Sequence, residues 1–281
     1  MNWRRGRAAD ASTLAELAWQ RTRHGVVRWA AGGLLCGALA ALLVFAPARW
    51  LADGVAARTQ QRVLLADARG TVWNGSAVAV LSGGADSHSA AMLPGRTHWR
   101  IGVRGTALEL RLRQPCCITD EAVLLLRPGL GRLSVQLLPA AGPIGEWPAA
   151  WLAGLGAPWN TLRLGGTLRL SSSGLSLAMA AGRWTLAGQA ELRLSDIDSP
   201  LTTLPRLGSY RLDLDADGGT PTFMLSTLDG ALQLDGSGQW TGSQWRFRGQ
   251  ARAAPGAEGE LDNLLNFFGR RQGALSLISI G

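Results

Sequence analysis

Lysine is missing from this chain: all 28 of its basic residues are arginine. Tyrosine occurs once, and histidine only three times. Each scarcity closes a route to chemistry. Without lysine, and with no helical pattern after it, Ser82-Gly83-Gly84 cannot be a phosphate cradle and reads as a polar loop. His24, His88 and His98 are too few and too scattered for a metal cluster. Asp86-Ser87-His88 holds the three letters of a catalytic triad, but neighbours in sequence cannot form a hydrogen-bonded relay, and no G-x-S-x-G stands by it. Ser195, Asp196 and Asp198 lack the remaining ligand positions of a calcium loop and fit a turn before Pro200. The sequence therefore nominates no catalytic, cofactor-binding or metal residue, and the expectation is a protein that is not an enzyme.

Cysteine is equally sparse, with three residues. Cys36 lies in an apolar run, while Cys116 and Cys117 are adjacent. No C-x-x-C and no Cys/His spacing is present, which argues against thioredoxin-like and zinc roles. Adjacent Cα atoms lie about 3.8 Å apart, closer than a relaxed disulfide prefers. In an oxidising compartment free thiols tend not to persist, so both a vicinal bridge and two thiols stay open.

Negative charge is outnumbered, 20 acidic residues against 28 arginines. The excess forms no basic stripe, which excludes a nucleic-acid partner. Six arginines (Arg4, Arg5, Arg7, Arg21, Arg23, Arg28) precede an uncharged run of twenty residues, Trp29 to Ala48, and only Asp10 and Glu16 oppose them. About 20 apolar residues in a helix cross a hydrocarbon core. Trp29 and Trp50 bracket the run, and the upstream arginines orient it with its N-terminus in the cytoplasm. The long leading segment, the length of the run and Pro47 between Ala46 and Ala48 speak against a cleaved signal peptide. The expectation is a cytoplasmic Arg-rich tail (1–28), a transmembrane helix (29–48) and a periplasmic domain (49–281). The segment Asp10–Arg21 reads equally as an amphipathic surface helix or as a solvated tail.

From Val63 onward short alternating segments are cut by glycine, proline and serine. Period-2 runs occupy Ala107–Arg113, Arg132–Leu138, Leu162–Leu170, Gly188–Asp196, Tyr210–Asp215, Leu228–Asp235 and Trp245–Arg252. One face of each is apolar, as with Leu108, Leu110 and Leu112, and the other charged, as with Glu109, Arg111 and Arg113. Half-buried antiparallel strands have this pattern. Only Trp147–Leu155 and Leu261–Phe268 read as short helices. Two such helices cannot cover a dozen strands, so the sheet must cover itself as a sandwich, a barrel or a strongly curled sheet. A loose G-x-L-x-L pattern starts at Gly105, Gly166, Gly174, Gly230 and Gly273, each glycine suited to a turn or bulge. Trp147, Pro148, Pro158 and Trp159 interrupt the alternation, which suggests two halves of one elongated mainly-β structure meeting near 146–160.

Several segments resemble a known family when taken in order. They are the Arg-rich tail and single span, then Arg69-Gly70-Thr71-Val72-Trp73-Asn74-Gly75, then Leu93-Pro94-Gly95 with Trp99. Trp159-Asn160-Thr161-Leu162-Arg163-Leu164-Gly165-Gly166-Thr167-Leu168-Arg169-Leu170 follows, and then Gly269-Arg270-Arg271-Gln272 with Leu275-Ser276-Leu277-Ile278. Together these resemble the type II secretion system protein N (GspN) family, and the Arg69–Gly75 segment also resembles AsmA-like envelope proteins. The resemblance implies an accessory inner-membrane subunit of the machine that exports folded periplasmic proteins, without catalytic activity or cofactor. Its partners would be other type II secretion subunits, the outer-membrane secretin among them, and the inner membrane lipid bilayer. The alternative is AsmA-like lipid handling, with acyl chains against the apolar face of a curled sheet. Whether Leu108, Leu110, Leu112, Leu192, Leu194, Leu212 and Leu214 are packed or line an open groove separates the two.

Overall fold

A computed structural model describes residues 29–217, 219–241 and 244–281. The Arg-rich tail 1–28, including the segment Asp10–Arg21, lies outside the described residues. The chain divides after Ala46 into two compact units.

In the first unit residues 29–44 are helical (α1) and end in a turn at Phe45. Among the described residues no helix is long and apolar enough to cross a membrane. The expected span to Ala48 is corrected at its far end. Pro47 has no N–H with which to extend a helix; it is extended (φ −69°, ψ 144°) and precedes a new helix, α2 (Ala48–Arg58). Ala48 and Ala52 are buried, so these small residues are core of the second unit.

The second unit is built on sixteen strands in one antiparallel sheet. They are β1 (Val63–Gly70), β2 (Asn74–Ser82), β3 (Ala90–Met92), β4 (Thr97–Arg104), β5 (Ala107–Arg113), β6 (Ala122–Gly129), β7 (Arg132–Leu137) and β8 (Gly145–Pro148). There follow β9 (Gly165–Ala180), β10 (Arg183–Asp198), β11 (Gly208–Asp215), β12 (Thr222–Gly230), β13 (Leu232–Trp240), β14 (Trp245–Ala253), β15 (Arg270–Gln272) and β16 (Leu275–Ile280). Fourteen strands form a continuous path from β1 to β15, with β3 and β8 attached to β2 and β9. The first and last strands of the path do not pair with each other, so the sheet is open, neither the sandwich nor the barrel that alternation also allowed.

Register puts the apolar residues of successive strands on one face. Trp99, Ile101 and Val103 oppose Leu112, Leu110 and Leu108. The row continues through Leu124 and Leu126 to Leu137 and Val135, then to Leu175 and Leu177. Beyond β10 it runs from Leu192 to Leu212 and on to Leu225. The other face carries Arg100 opposite Arg111, and Arg193 opposite Arg211. A bulge in β9 preserves this segregation. Gly174 pairs with Gln189 and Ser172 with Ala190, leaving Ser173 as an extra residue. The extra residue reverses the period-2 parity, so Leu168 and Leu170 share a face with Leu175 and Leu177. Gly174 takes a φ of +131°, which a side chain would resist. The other four glycines of the G-x-L-x-L pattern also have positive φ.

Two of the expected strands and one expected helix differ from what forms. Leu162–Leu170 is not one strand: Trp159–Leu162 makes a helical turn (α3), Arg163 turns left-handed, and pairing starts at Gly165. Leu228–Asp235 is a tight corner between β12 and β13, because Gly230 packs its Cα against Gly208 where no side chain fits. In Trp147–Leu155 the first two residues complete β8, and only Ala149–Leu155 winds, as a 3₁₀ helix.

The two ends of the sheet are unlike. At one end every connection is short: residues 71–73, 105–106, 130–131, 181–182, 216–221 and 241–244. At the other lie the long connections, with the 3₁₀ helix, α3 and α4 (Glu258–Phe268). α4 places Leu261, Leu264 and Leu265 on one side, the i, i+3, i+4 spacing of a buried helical face, and all three are 0–1% exposed. They pack with Leu168, Ile197, Tyr210, Leu232 and Ala251 as the main core. A second core forms where Ala48 of α2 meets Ala77 and Trp99, with Leu110 and Leu112 against it.

Candidate functional site

The motifs with chemical potential resolve into structural roles. Ser87 Oγ accepts from the backbone N–H of Ser89, and Ser82 Oγ from that of Gly84, so both segments are turns that bond to themselves. Asp196 accepts from Arg206 at 2.7 Å. Asp198 pairs with Gly165 in the β9–β10 ladder. Among the described residues no group of His, Cys, Asp and Glu is placed to hold a metal.

The Arg69–Gly75 segment is the β1–β2 turn. Thr71 N–H donates to the Asn74 carbonyl at 2.9 Å, and Trp99 Nε1 donates to the Val72 carbonyl at 3.0 Å. The Trp99 ring lies over Gly75, where a Cβ would collide with it. Trp99 is 3% exposed, a core anchor. Arg96 straps the neighbouring bulge, donating to Asp67 at 2.7 Å and to the Asp67 carbonyl at 2.6 Å. Arg96 and then Arg69, by hydrogen bonds, hold the Asp67 carboxyl below its ordinary range.

Cys116 and Cys117 are joined as a vicinal disulfide. Cys117 is buried and Cys116 exposed. The loop is tied to β8: Glu146 N–H donates to the Cys117 carbonyl at 2.7 Å, and Ile118 bridges Gly145. It roofs a polar hollow of about 500 Å³ containing His98, Arg100, Arg113 and Glu121. Beside it on the polar face Glu109 is gripped by Arg111 and Arg104, and the Arg111 hydrogen bond is the main cause that holds its carboxyl below the usual range.

The feature with binding capacity is the part of the apolar face that no helix covers. Leu110 and Leu112 pack against the core of Ala48, Ala77 and Trp99, and Leu192 and Leu194 against the main core. Leu108, Leu212 and Leu214 are half-buried and belong to neither core. Toward the short-turn end the face opens into a cleft of about 800 Å³ lined by Leu177, Trp184, Leu186, Pro221, Trp240 and Trp245. Beside it Phe223 stacks on Phe247 with centroids 5.5 Å apart and meets Trp245 edge-on at 5.3 Å. Trp240 and Trp245 contact at 5.5 Å. Both phenylalanine rings lie on glycine: a Cβ on Gly238 would strike Phe223, and one on Gly236 or Gly249 would strike Phe247. Sequence reasoning missed this cluster. Its signal was the Gly236-x-Gly238 spacing on a strand beside Phe223 and Phe247, where glycine makes room for a ring.

The fold defines a class of β-domain: an open, amphipathic antiparallel sheet with α2 over one part of its apolar face and the 3₁₀ helix, α3 and α4 at the long-connection end. Within that class the chain belongs to the type II secretion system protein N family. The family model "Type II secretion system (T2SS), protein N" matches residues 61–277, more than half of the chain. No curated protein and no solved structure matches it.

Proposed function

We propose that the protein is a non-enzymatic accessory subunit of the type II secretion apparatus. It is held in the inner membrane by the apolar run from Trp29 that ends before Pro47, with the β-domain in the periplasm, and supports export through contacts with other subunits, the secretin among them. Family membership carries the secretion role. The apolar run and its upstream arginines support the location, and the Cys116–Cys117 bridge suits an oxidising compartment.

The contact is assigned to the outer edge of β16. β15 covers only Leu275–Leu277 of that strand, so Ile278–Ile280 keeps a free side among the described residues. A free edge accepts a strand from another chain, and Ile280 is 63% exposed there. The opposite edge, β1, is broken by the Asp67 bulge and guarded by Asp67 and Arg69, devices that discourage strand addition. A photo-crosslinking residue at Ile280 in cells should capture an apparatus subunit, and deleting the chain should lower secretion of exported proteins. Unchanged secretion and unchanged subunit levels in the deletion strain would refute the role.

A second reading, lipid handling, is favoured by one observation, the uncovered apolar cleft of about 800 Å³. Phospholipid retained in stoichiometric amount after gentle solubilisation, with no apparatus subunit, would favour it over the first.

A further inference from the structure

The short-turn end of the sheet brings exposed apolar side chains and arginines together on neighbouring hairpins. Its turns and strand ends expose Val103 (75%), Leu130 (fully), Trp184 (49%) and Trp245 (38%). Trp73, in the β1–β2 turn at the same end, is 37% exposed. Large apolar side chains held out on successive hairpins are not the ordinary scatter of a soluble surface, and tryptophan in particular favours the boundary between water and lipid.

Arginines accompany them. Arg132 and Arg183 flank Ala180 across β9, and Arg246 follows Trp245. Among the described residues none of these three has an acidic partner, whereas Arg96, Arg111, Arg169, Arg206 and Arg271 all do. Asp217, in the 216–221 connection, is committed to the backbone N–H of Gly188 at 2.7 Å. The end therefore sets three arginines that make no ion pair beside exposed apolar tips, with Asp215 and Asp217 as carboxylates of the 216–221 hairpin. The second unit also begins here, since Pro47 bridges Thr71 in the β1–β2 turn.

We infer that the short-turn end is a docking surface for an anionic phospholipid bilayer. Leu130, Val103, Trp184 and Trp245 enter the interfacial region, and Arg132, Arg183 and Arg246 meet the lipid phosphates. Charge complementarity selects this occupant: apolar tips alone would suit any apolar partner, but tips ringed by unpaired arginine suit a surface that is apolar beneath and anionic at its boundary. The inference goes beyond both readings of function, because it concerns contact of the folded domain with lipid and needs neither a secretion partner nor a bound acyl chain.

The test uses the full chain with Cys36→Ser, reconstituted into vesicles of phosphatidylglycerol and phosphatidylethanolamine in equal parts. An environment-sensitive fluorophore is placed at Leu130→Cys and, in a separate sample, at Thr203→Cys in the long connection between β10 and β11. The Leu130 label should shift to the blue and be quenched by bromine-bearing acyl chains, while the Thr203 label should stay as in water. Each arginine at an anionic surface is worth about fivefold in partitioning. The triple variant Arg132→Gln/Arg183→Gln/Arg246→Gln should therefore lower the docked-to-undocked ratio about a hundredfold, with an unchanged thermal melt reporting an intact fold. Phosphatidylcholine vesicles should give the same loss without any substitution. A Leu130 label as water-exposed as the Thr203 label in the anionic vesicles overturns the inference. So does shielding that persists undiminished in the triple variant and in phosphatidylcholine.

Discussion

Single side chains hold the helix-covered end together, and Tyr210 shows how. The only tyrosine of the chain is 3% exposed, and its hydroxyl donates to the Leu232 carbonyl at 3.0 Å. Burial first, and the nearby Asp229 charge second, push its pKa well above that of a free phenol, so it remains a donor at any physiological pH. That bond links β11 to the start of β13, over the corner where Gly208 and Gly230 meet. Tyr210→Phe keeps the ring and removes the donor, leaving a carbonyl oxygen in the core without that partner. The loss should be about 1–3 kcal/mol, read as a lower urea midpoint at an unchanged slope. A midpoint equal to that of the unaltered protein would mean that water replaces the hydroxyl. Ser276 works in the same way, donating to the Leu265 carbonyl at 2.7 Å and fixing β16 to α4.

At the scale of elements, α4 has the largest effect for its length. Three leucines on one face seal the core, and Glu258 and Glu260 in its first turn suit the positive end of the helix dipole. Arg271 ties the β15–β16 hairpin to Asp262 at 2.6 Å. Leu264→Ala should cost about 2–5 kcal/mol, the range for emptying a leucine-sized space in a core. Asn263→Ala, one residue away on the exposed side, should change stability by less than about 0.5 kcal/mol; comparable losses in the two would show that α4 is not seated as described. How legible each element is follows from the same contrast. Ala107–Arg113 alternates without a break and forms β5 with those bounds, and Leu261–Phe268 lies inside α4 because its leucines repeat at helical spacing. Alternation misleads where an irregular residue resets it. Gly174 and its bulge divide what is one long strand in space, and the 228–235 run continues its pattern through a corner. α2 was hidden for another reason: only Ala48 and Ala52 are buried in it, and small residues leave almost no apolar period to read. The cleft was hidden because its members come from distant hairpins, and no local spacing links Trp184 to Trp245.

For the whole molecule the decisive fact is that helices close the sheet in two places and leave the rest bare. One closure lies under α4, inside the stretch 61–277 that defines the family, and the other lies under α2, outside it. The boundary of family similarity is therefore not the boundary of the folding unit. Ala48, Leu51 and Ala52 cover the core around Trp99, and Pro47 holds the helix entry against Thr71. A chain starting at Pro47 keeps both closures and should unfold in one cooperative transition. A chain starting at Gln61 exposes Trp99, Ala77 and Leu65 on one side. Its loss should be about 3–5 kcal/mol, comparable to truncating a core aromatic, with a lower melting temperature and binding of an apolar dye before the transition. Differential scanning calorimetry of the two chains decides the matter, since equal melting temperatures would mean that α2 lies on the sheet without stabilising it. The same comparison separates stability from surface function. Both chains retain β16 and the hairpins that carry Leu130, Trp184 and Trp245, so removing α2 should weaken the fold while leaving the docking groups in place.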